Sequence, residues 1–83
     1  MKKTSFRIME DENTVKNIVA KYLPSYTETE VEIVEEDGGY TVYVAYDDRN
    51  VKIRELEECV MHVMLLDSYL DAWNMIQEYS EEI

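Results

Sequence analysis

The chain has 83 residues, of which 46% are hydrophobic and 11% aromatic, and its formal net charge at pH 7 is −11. This apolar content excludes a disordered chain and predicts one folded domain over residues 1–83. A protein with this negative charge repels nucleic acid and anionic membranes and attracts basic molecules. We therefore expect its partner to be a basic protein.

The acidic residues are unevenly distributed along the chain. Residues 1–27 carry three acids and five bases, residues 28–54 carry eight acids and three bases, and residues 55–83 carry eight acids and no base. The negative charge therefore belongs to the later two thirds of the sequence, where a binding surface for a basic partner is expected.

The sequence favours a cytoplasmic protein. Its single cysteine, Cys59, excludes an intramolecular disulfide and lies in an apolar run, which is typical of a reducing compartment. The basic start at Lys2 and Lys3 is followed by no apolar segment before the acids that begin at Glu10, so we expect no secretory signal. No run approaches the ~18 apolar residues needed to cross a bilayer.

The N-terminal segment and the first helix are predicted from apolar spacing. Residues 3–9 alternate weakly, which predicts either a short edge strand or a tail that places Phe6 in the core. A helix follows, with Asp11, Asn13 or Thr14 as the N-cap and Pro24 as the stop. Its apolar positions at helical spacing are Val15, Ile18, Val19, Tyr22 and Leu23.

Residues 28–46 carry the pattern of a β-hairpin. Apolar and acidic residues alternate over residues 28–36, and apolar residues alternate again over residues 40–46. Between the two runs, Asp37, Gly38 and Gly39 tolerate a positive φ, as tight hairpin turns require. Both faces of the second run are apolar, which predicts a central strand or a second face that meets a partner.

Residues 51–79 are predicted to be mainly helical. Val51 and Ile53 fit either a brief third strand or the start of the helix. One apolar stripe dominates the first half of this region, and a second stripe dominates the later half. Ser68 with Asp71 has the form of a capping box, which would start a new helix. One bent helix and two short helices fit the pattern equally. The first stripe is Leu56, Cys59, Val60, Val63, Leu66 and Leu70; the second is Met61, Leu65, Tyr69, Ala72, Ile76 and Tyr79.

These elements predict an α+β domain in the order (β)-α-β-β-(β)-α-α. A small antiparallel sheet, built on the hairpin and extended to three or four strands, is covered on one face by helices.

Two patterns raise the question of chemistry, and neither predicts an enzyme. Cys59 and His62 lie three residues apart on a helix, but one cysteine and one histidine cannot complete a usual zinc site, and a free cysteine is ordinarily a core residue. The acids around Gly38 do not match a calcium loop, because Ile33 and Val44 occupy positions that require carboxylates. We expect no metal and no cofactor.

The acidic residues of the hairpin are the candidate binding site. Glu28, Glu30 and Glu32 are predicted to project from one face of a strand at intervals of about 6.6–6.8 Å, comparable to the spacing of nucleic-acid phosphates. Such a surface would fit a basic groove, although a charged face that only keeps a small domain soluble shows the same pattern. The candidate contact acids are Glu28, Glu30, Glu32, Glu35, Glu36, Asp37, Asp47 and Asp48.

Aromatic residues and methionines provide a second type of contact. The chain has seven tyrosines, one tryptophan and five methionines, residue types that are favoured at interfaces. Tyr43, on the second face of the hairpin, is the candidate partner-binding aromatic residue, with Trp73 and Met75 as further anchors.

In size and charge the chain resembles the small acidic proteins that phages and mobile elements use against host nucleases, such as anti-CRISPR and anti-restriction inhibitors. The resemblance implies a non-enzymatic inhibitor or adaptor that mimics DNA or RNA and binds a nuclease or CRISPR effector. The alternative is a structural or regulatory module that self-associates, as a homodimer, through apolar sheet or helix faces.

Overall fold

The computed structural model describes residues 1–47 and 49–83, and within them it contains four strands and three helices. All strands are antiparallel in one sheet, ordered β2-β3-β1-β4, and the helices pack against one face of it. This confirms the α+β class. The elements are β1 (Lys2–Ile8), α1 (Glu12–Tyr22), β2 (Val31–Glu36), β3 (Gly39–Tyr46), α2 (Ile53–Met64), α3 (Tyr69–Glu78) and β4 (Glu81–Glu82).

The N-terminal segment is a strand and not a tail. β1 pairs with β3 over seven residues, from Lys2 opposite Tyr46 to Ile8 opposite Tyr40. Phe6 is 8% exposed and lies in the core, as predicted. The short β4 covers only the first part of the other side of β1, so β1 is an inner strand at Lys2 and an edge strand farther along.

The predicted hairpin is confirmed, with a tight two-residue turn. Asp37 and Gly38 have φ angles of 52° and 78°, the positive values of a type I′ turn, and Glu36 pairs with Gly39 across it. A Cβ at Gly39 would lie 2.5 Å from the Met9 sulfur, so a side chain there would require the exposed Met9 side chain to move. The first hairpin strand starts at Val31, later than predicted.

α1 begins and ends where the sequence predicts. The Asp11 carboxylate caps the first turn by accepting a hydrogen bond from the backbone N–H of Thr14 at 2.8 Å. The helix ends at Tyr22, and Leu23 follows as the C-cap, directly before Pro24.

The C-terminal helical region consists of two helices. Ile53 begins α2, so the helical alternative is correct for Ile53, whereas Val51 lies in the turn before the helix; no strand forms there in the described residues. α2 ends at Met64 because Leu65 adopts the left-handed conformation, with φ of 55°. Ser68 then caps α3 by accepting a hydrogen bond from the backbone N–H of Asp71 at 3.1 Å, as the capping-box pattern predicts.

The break between α2 and α3 changes which apolar residues are buried. Leu56, Cys59 and Val60 of the first stripe are at most 3% exposed, whereas Leu70, predicted on the same stripe, is 67% exposed. Leu70 belongs to this stripe only if the helix is continuous, and the left-handed Leu65 restarts the helical phase. None of the helices in the described parts of the chain combines the length and apolar character needed to cross a membrane.

The two leucines at the ends of the first stripe provide a matched test of this packing. Leu56→Ala should destabilise the domain by about 2–5 kcal/mol, because it opens a cavity in the core, whereas Leu70→Ala should change stability by less than about 0.5 kcal/mol. Urea unfolding of both variants measures the difference. Equal losses of stability would show that Leu70 is also buried in the core.

Candidate acidic binding surface

The pairing of β1 with β3 brings two acidic segments together. β1 ends at Ile8, opposite Tyr40, so residues 10–12 lie beside the turn of the β2–β3 hairpin. Sequence reasoning missed this cluster, because its two halves are more than twenty residues apart and only the strand register joins them. We define the hairpin-end surface as the acids Glu10, Asp11, Glu12, Glu35, Glu36 and Asp37, with the bases Arg7 and Lys16.

Tyr40 lies where the two acidic segments meet. Its hydroxyl donates a hydrogen bond to Glu35 at 3.4 Å. Burial, followed by the negative charges of Glu35 and Glu12, raises the pKa of Tyr40 above its ordinary value of 10.0. Acids from both the hairpin and the start of α1 thus act on one side chain.

Arg7 fastens the hairpin turn to β1. Its guanidinium donates to the Glu36 carbonyl at 2.7 Å, to the Thr41 hydroxyl at 3.0 Å and to the Asp37 carbonyl at 3.3 Å. Because these bonds hold the cation against the backbone, it fixes the turn and leaves the carboxylate of Asp37 exposed.

Glu36, Thr41 and Tyr43 continue the surface onto the helix-free face of the sheet. The Tyr43 hydroxyl donates to the Glu36 carboxylate at 3.2 Å, and the ammonium of Lys3 lies 5.1 Å from the Tyr43 ring centre. Hydrogen bonds from Thr41 first, and from Tyr43 second, lower the pKa of Glu36. The same bond to Glu36 raises the pKa of Tyr43.

The predicted row of acids on one strand face is wrong. Glu28 and Glu30 precede β2, so only Glu32 of the three lies on the strand, opposite Tyr43. Glu30 accepts hydrogen bonds from the backbone N–H of Thr27 at 2.8 Å and from the Lys52 ammonium at 2.9 Å. Its charge is thus matched within the domain, and the Thr27 and Lys52 bonds lower its pKa.

Lys52 joins the start of β2 to α2. Besides its bond to Glu30, the ammonium lies 4.6 Å from the Tyr26 ring centre and donates to the Ser25 carbonyl at 3.3 Å. Ser25 in turn donates its backbone N–H to Glu55 at 3.0 Å. These contacts make Glu30 and Glu55 structural residues.

The remaining predicted acids lie at the opposite end of the hairpin. Glu28 is exposed in the turn before β2, and Asp47 directly follows β3. The Asp47 carboxylate accepts a hydrogen bond from the backbone N–H of Arg49 at 3.0 Å, which lowers the Asp47 pKa. Asp48 lies outside the described residues.

Cys59 and His62 do not come together. Cys59 is fully buried, and desolvation raises the pKa of its thiol to about 12. His62 is exposed and stacks on the Tyr22 ring, with 4.8 Å between ring centres. Over residues 1–47 and 49–83, no three histidine, cysteine or acidic side chains are arranged to hold a metal ion.

Of the further aromatic and methionine anchors, Trp73 and Met75 are half-buried on α3, and Met75 packs against the core. Tyr69, on the same helix, donates its hydroxyl to Glu58 at 2.7 Å and lies under the guanidinium of Arg54 at 3.8 Å. These contacts hold the start of α3 against α2.

Comparison of the chain with protein-family models, with curated proteins and with solved structures gave no match.

The hydrogen bonds to Glu36 predict how the domain responds to acid. Because the folded-state pKa of Glu36 lies below the ordinary value of 4.5, the unfolded chain takes up the proton first as the pH falls. The stabilisation is therefore present above about pH 4.5 and is lost as the pH falls through the folded-state pKa. Glu36→Gln should lower stability at neutral pH and weaken its dependence on pH below about 4.5.

Urea unfolding midpoints measured from neutral to acidic pH test this expectation. Tyr43→Phe, which removes one of the two donors and keeps the ring, should give an intermediate pH dependence. An acid dependence of Glu36→Gln that equals that of the unmodified protein would contradict the assignment.

Proposed function

We propose that this protein is a non-enzymatic acidic inhibitor or adaptor that binds a basic surface of a nucleic-acid-binding protein, in the manner of a DNA or RNA mimic. The partner class is a nuclease or CRISPR effector, and the site of action is the cytoplasm, where a free thiol such as Cys59 stays reduced. The contact is the hairpin-end surface, extended along the helix-free sheet face by Glu32 and Tyr43.

The observation that carries the proposal is the convergence of six acids at one end of the sheet. Both bases within this surface are engaged by the protein itself, since Arg7 bonds the hairpin backbone and Lys16 pairs with Glu12 at 2.8 Å. The surface therefore presents a net negative charge to a partner, and within residues 1–47 and 49–83 neither Glu35 nor Asp37 forms an ion pair.

The arrangement suits phosphate mimicry for a physical reason. The acids are attached to the edge strand β2, a tight turn, and the start of α1 with the two residues before it, so little backbone conformational entropy is lost when a partner binds them. Carboxylates held this way can displace the ions of a basic groove as phosphates do, and the resulting attraction weakens with salt.

Glu28, Glu30 and Asp47 are not part of the proposed contact. They lie at the opposite end of the hairpin, and two of them already serve the fold through Lys52 and through the turn at Arg49. Concentrating the contact at one end of the sheet replaces the linear row of acids that the sequence suggested.

The test is a pull-down from host lysate with the tagged protein, washed at low and then high salt and challenged with DNA. We expect retention of a nucleic-acid-binding protein that is released by salt and displaced by DNA. The triple variant Glu10→Gln, Glu35→Gln, Asp37→Asn should weaken its binding at least about tenfold, because three surface charges opposite a basic groove are lost.

A control triple separates the surface from the total charge. Glu28→Gln, Glu81→Gln and Glu82→Gln raise the net charge by the same amount but lie at the opposite end of the sheet from the hairpin turn, so the captured partner should bind nearly as well. Equal loss in both triples would show a non-local charge effect, and retention that resists salt and DNA would contradict mimicry.

Exposed apolar residues favour self-association as the second candidate function. Leu65 and Leu70, on either side of the start of α3, are 86% and 67% exposed, and Met64 is 39% exposed. An apolar patch of this kind is typical of a protein interface. Sedimentation over a concentration series distinguishes the candidates, since only self-association requires a dimer that dissociates on dilution.

A further inference from the structure

The outer edge of β1 is only partly used by the sheet. β4 pairs with Lys2 and Lys3, and in the described part of the chain no strand pairs with the same side of β1 from Thr4 to Ile8. The backbone N–H of Ile83 donates to the Met1 carbonyl at 3.1 Å. Since hydrogen-bonded pairs alternate along an antiparallel ladder, the polar backbone groups of Ser5 and Arg7 face this open edge.

A groove of about 370 Å³ runs along this open edge. Its size falls within the range of about 300–1,000 Å³ that is typical of ligand sites. The wall opposite β1 is formed by side chains from α2, from α3 and from Tyr79, the residue that follows α3. Met64 and Tyr79 of this wall are 39% and 56% exposed. The wall residues are Val60, Met64, Met75, Ile76 and Tyr79.

The charges around the groove indicate the kind of partner. Both helices lie within residues 55–83 apart from the first turn of α2, and this segment carries eight acids and no base. On α3, Asp71 and Glu78 stand four residues before and three residues after Met75, so helical geometry places both carboxylates beside the apolar wall. Glu36 lines the groove from the sheet side.

Arg7 lines the groove beside Glu36, and its positive charge adds to the hydrogen bonds that lower the pKa of Glu36. Its guanidinium is held by the Glu36 carbonyl at 2.7 Å and the Thr41 hydroxyl at 3.0 Å, on the sheet side and not beside the acids of α3. The groove thus combines unpaired strand hydrogen-bonding groups, an apolar wall and a negative rim.

We propose that this groove binds an extended basic peptide segment of a partner protein by strand addition. The segment continues the line of β4 along β1, and its backbone pairs with Ser5 and Arg7. An apolar side chain opposite Phe6 packs on Met64 and Met75, and lysine or arginine side chains at the alternating positions point to the helix-free face, where Glu36 lies. Five residues of edge, about 14 Å long, define the length of the segment.

This site shares Glu36 and Arg7 with the hairpin-end surface but is otherwise separate, and the proposal does not depend on the proposed function. The hairpin-end surface uses carboxylates at the turn between β2 and β3, whereas the groove uses the backbone of β1 and the faces of α2 and α3. Glu10, Glu35 and Asp37 lie outside the groove, and Ser5 and Met64 lie outside the hairpin-end surface, so variants at these positions let the two proposals fail independently.

The experiment titrates the full chain with a seven-residue peptide in which lysine alternates with leucine and valine. A peptide of the same composition with its apolar residues consecutive is the control for charge alone. By NMR, we expect the alternating peptide to shift the backbone amides of Ser5 and Arg7 and to slow their hydrogen exchange. It should bind at least about fivefold more tightly than the control peptide, because only its alternation fits both the strand edge and the apolar wall.

Two variants test the two halves of the groove. Ser5→Pro removes an outward-facing N–H, a change that an edge strand tolerates, and should weaken binding about fivefold. Met64→Gln reduces the apolar wall and should weaken binding severalfold, whereas the control Leu70→Gln, an exposed position outside the groove, should not. Melting temperatures identify any variant that fails to fold, and Met64→Gln, at a partly exposed position, keeps the test available if Ser5→Pro does not fold.

Several results would overturn the proposal. Equal binding of the two peptides, or perturbations confined to the hairpin-end surface, would show that only charge is recognised. Concentration-dependent slowing of exchange at Ser5 and Arg7 without peptide would assign the edge to a second copy of the chain.

Discussion

The pairing of β1 with β3 is the interaction on which the rest of this domain depends. It aligns residues 2–8 with residues 40–46, so Phe6 and Ile8 join Val42 and Val44 under the helices. The same register carries residues 10–12 to the hairpin turn and creates the acidic end of the sheet. It also determines which residues of β1 direct their backbone N–H and C=O groups toward β3, so that those of Ser5 and Arg7 face the open groove. Core, acidic surface and groove are three results of one strand register.

Two cations determine which acids remain available to a partner. Lys52 matches the charge of Glu30 and fixes the chain before β2, while Arg7 bonds the carbonyls of Glu36 and Asp37 and leaves the Asp37 carboxylate exposed. A cation that also bonds another segment, as Lys52 does at Ser25, holds its acid within the fold, and a cation that bonds the backbone leaves the neighbouring carboxylate exposed. With a net charge of −11, this division distinguishes structural from available carboxylates better than the count of acids does.

The sequence predicted those features that depend on neighbouring residues. The cap at Asp11, the stop before Pro24, the turn at Asp37 and the cap at Ser68 are all local, and the order of elements followed from them. Contacts between distant segments could not be predicted in the same way. The bond between Glu30 and Lys52, the short β4 and the approach of Glu12 to Tyr40 join residues whose proximity is set by the sheet register. The exposure of Leu70 was missed because helical periodicity alone does not locate a left-handed residue such as Leu65.

The order of strands in the sheet has a consequence for how the chain folds. The β2–β3 hairpin closes through a two-residue turn and can form early, whereas β1 must close a loop of about thirty residues, including α1, before it gains its partner. During synthesis β1 is made before both strands that it pairs with, since β3 follows at residues 39–46 and β4 at residues 81–82. The charges of β1 oppose association with other strands before β3 is available. Arg7 lies between the apolar residues Phe6 and Ile8, and Lys2 and Lys3 begin the strand.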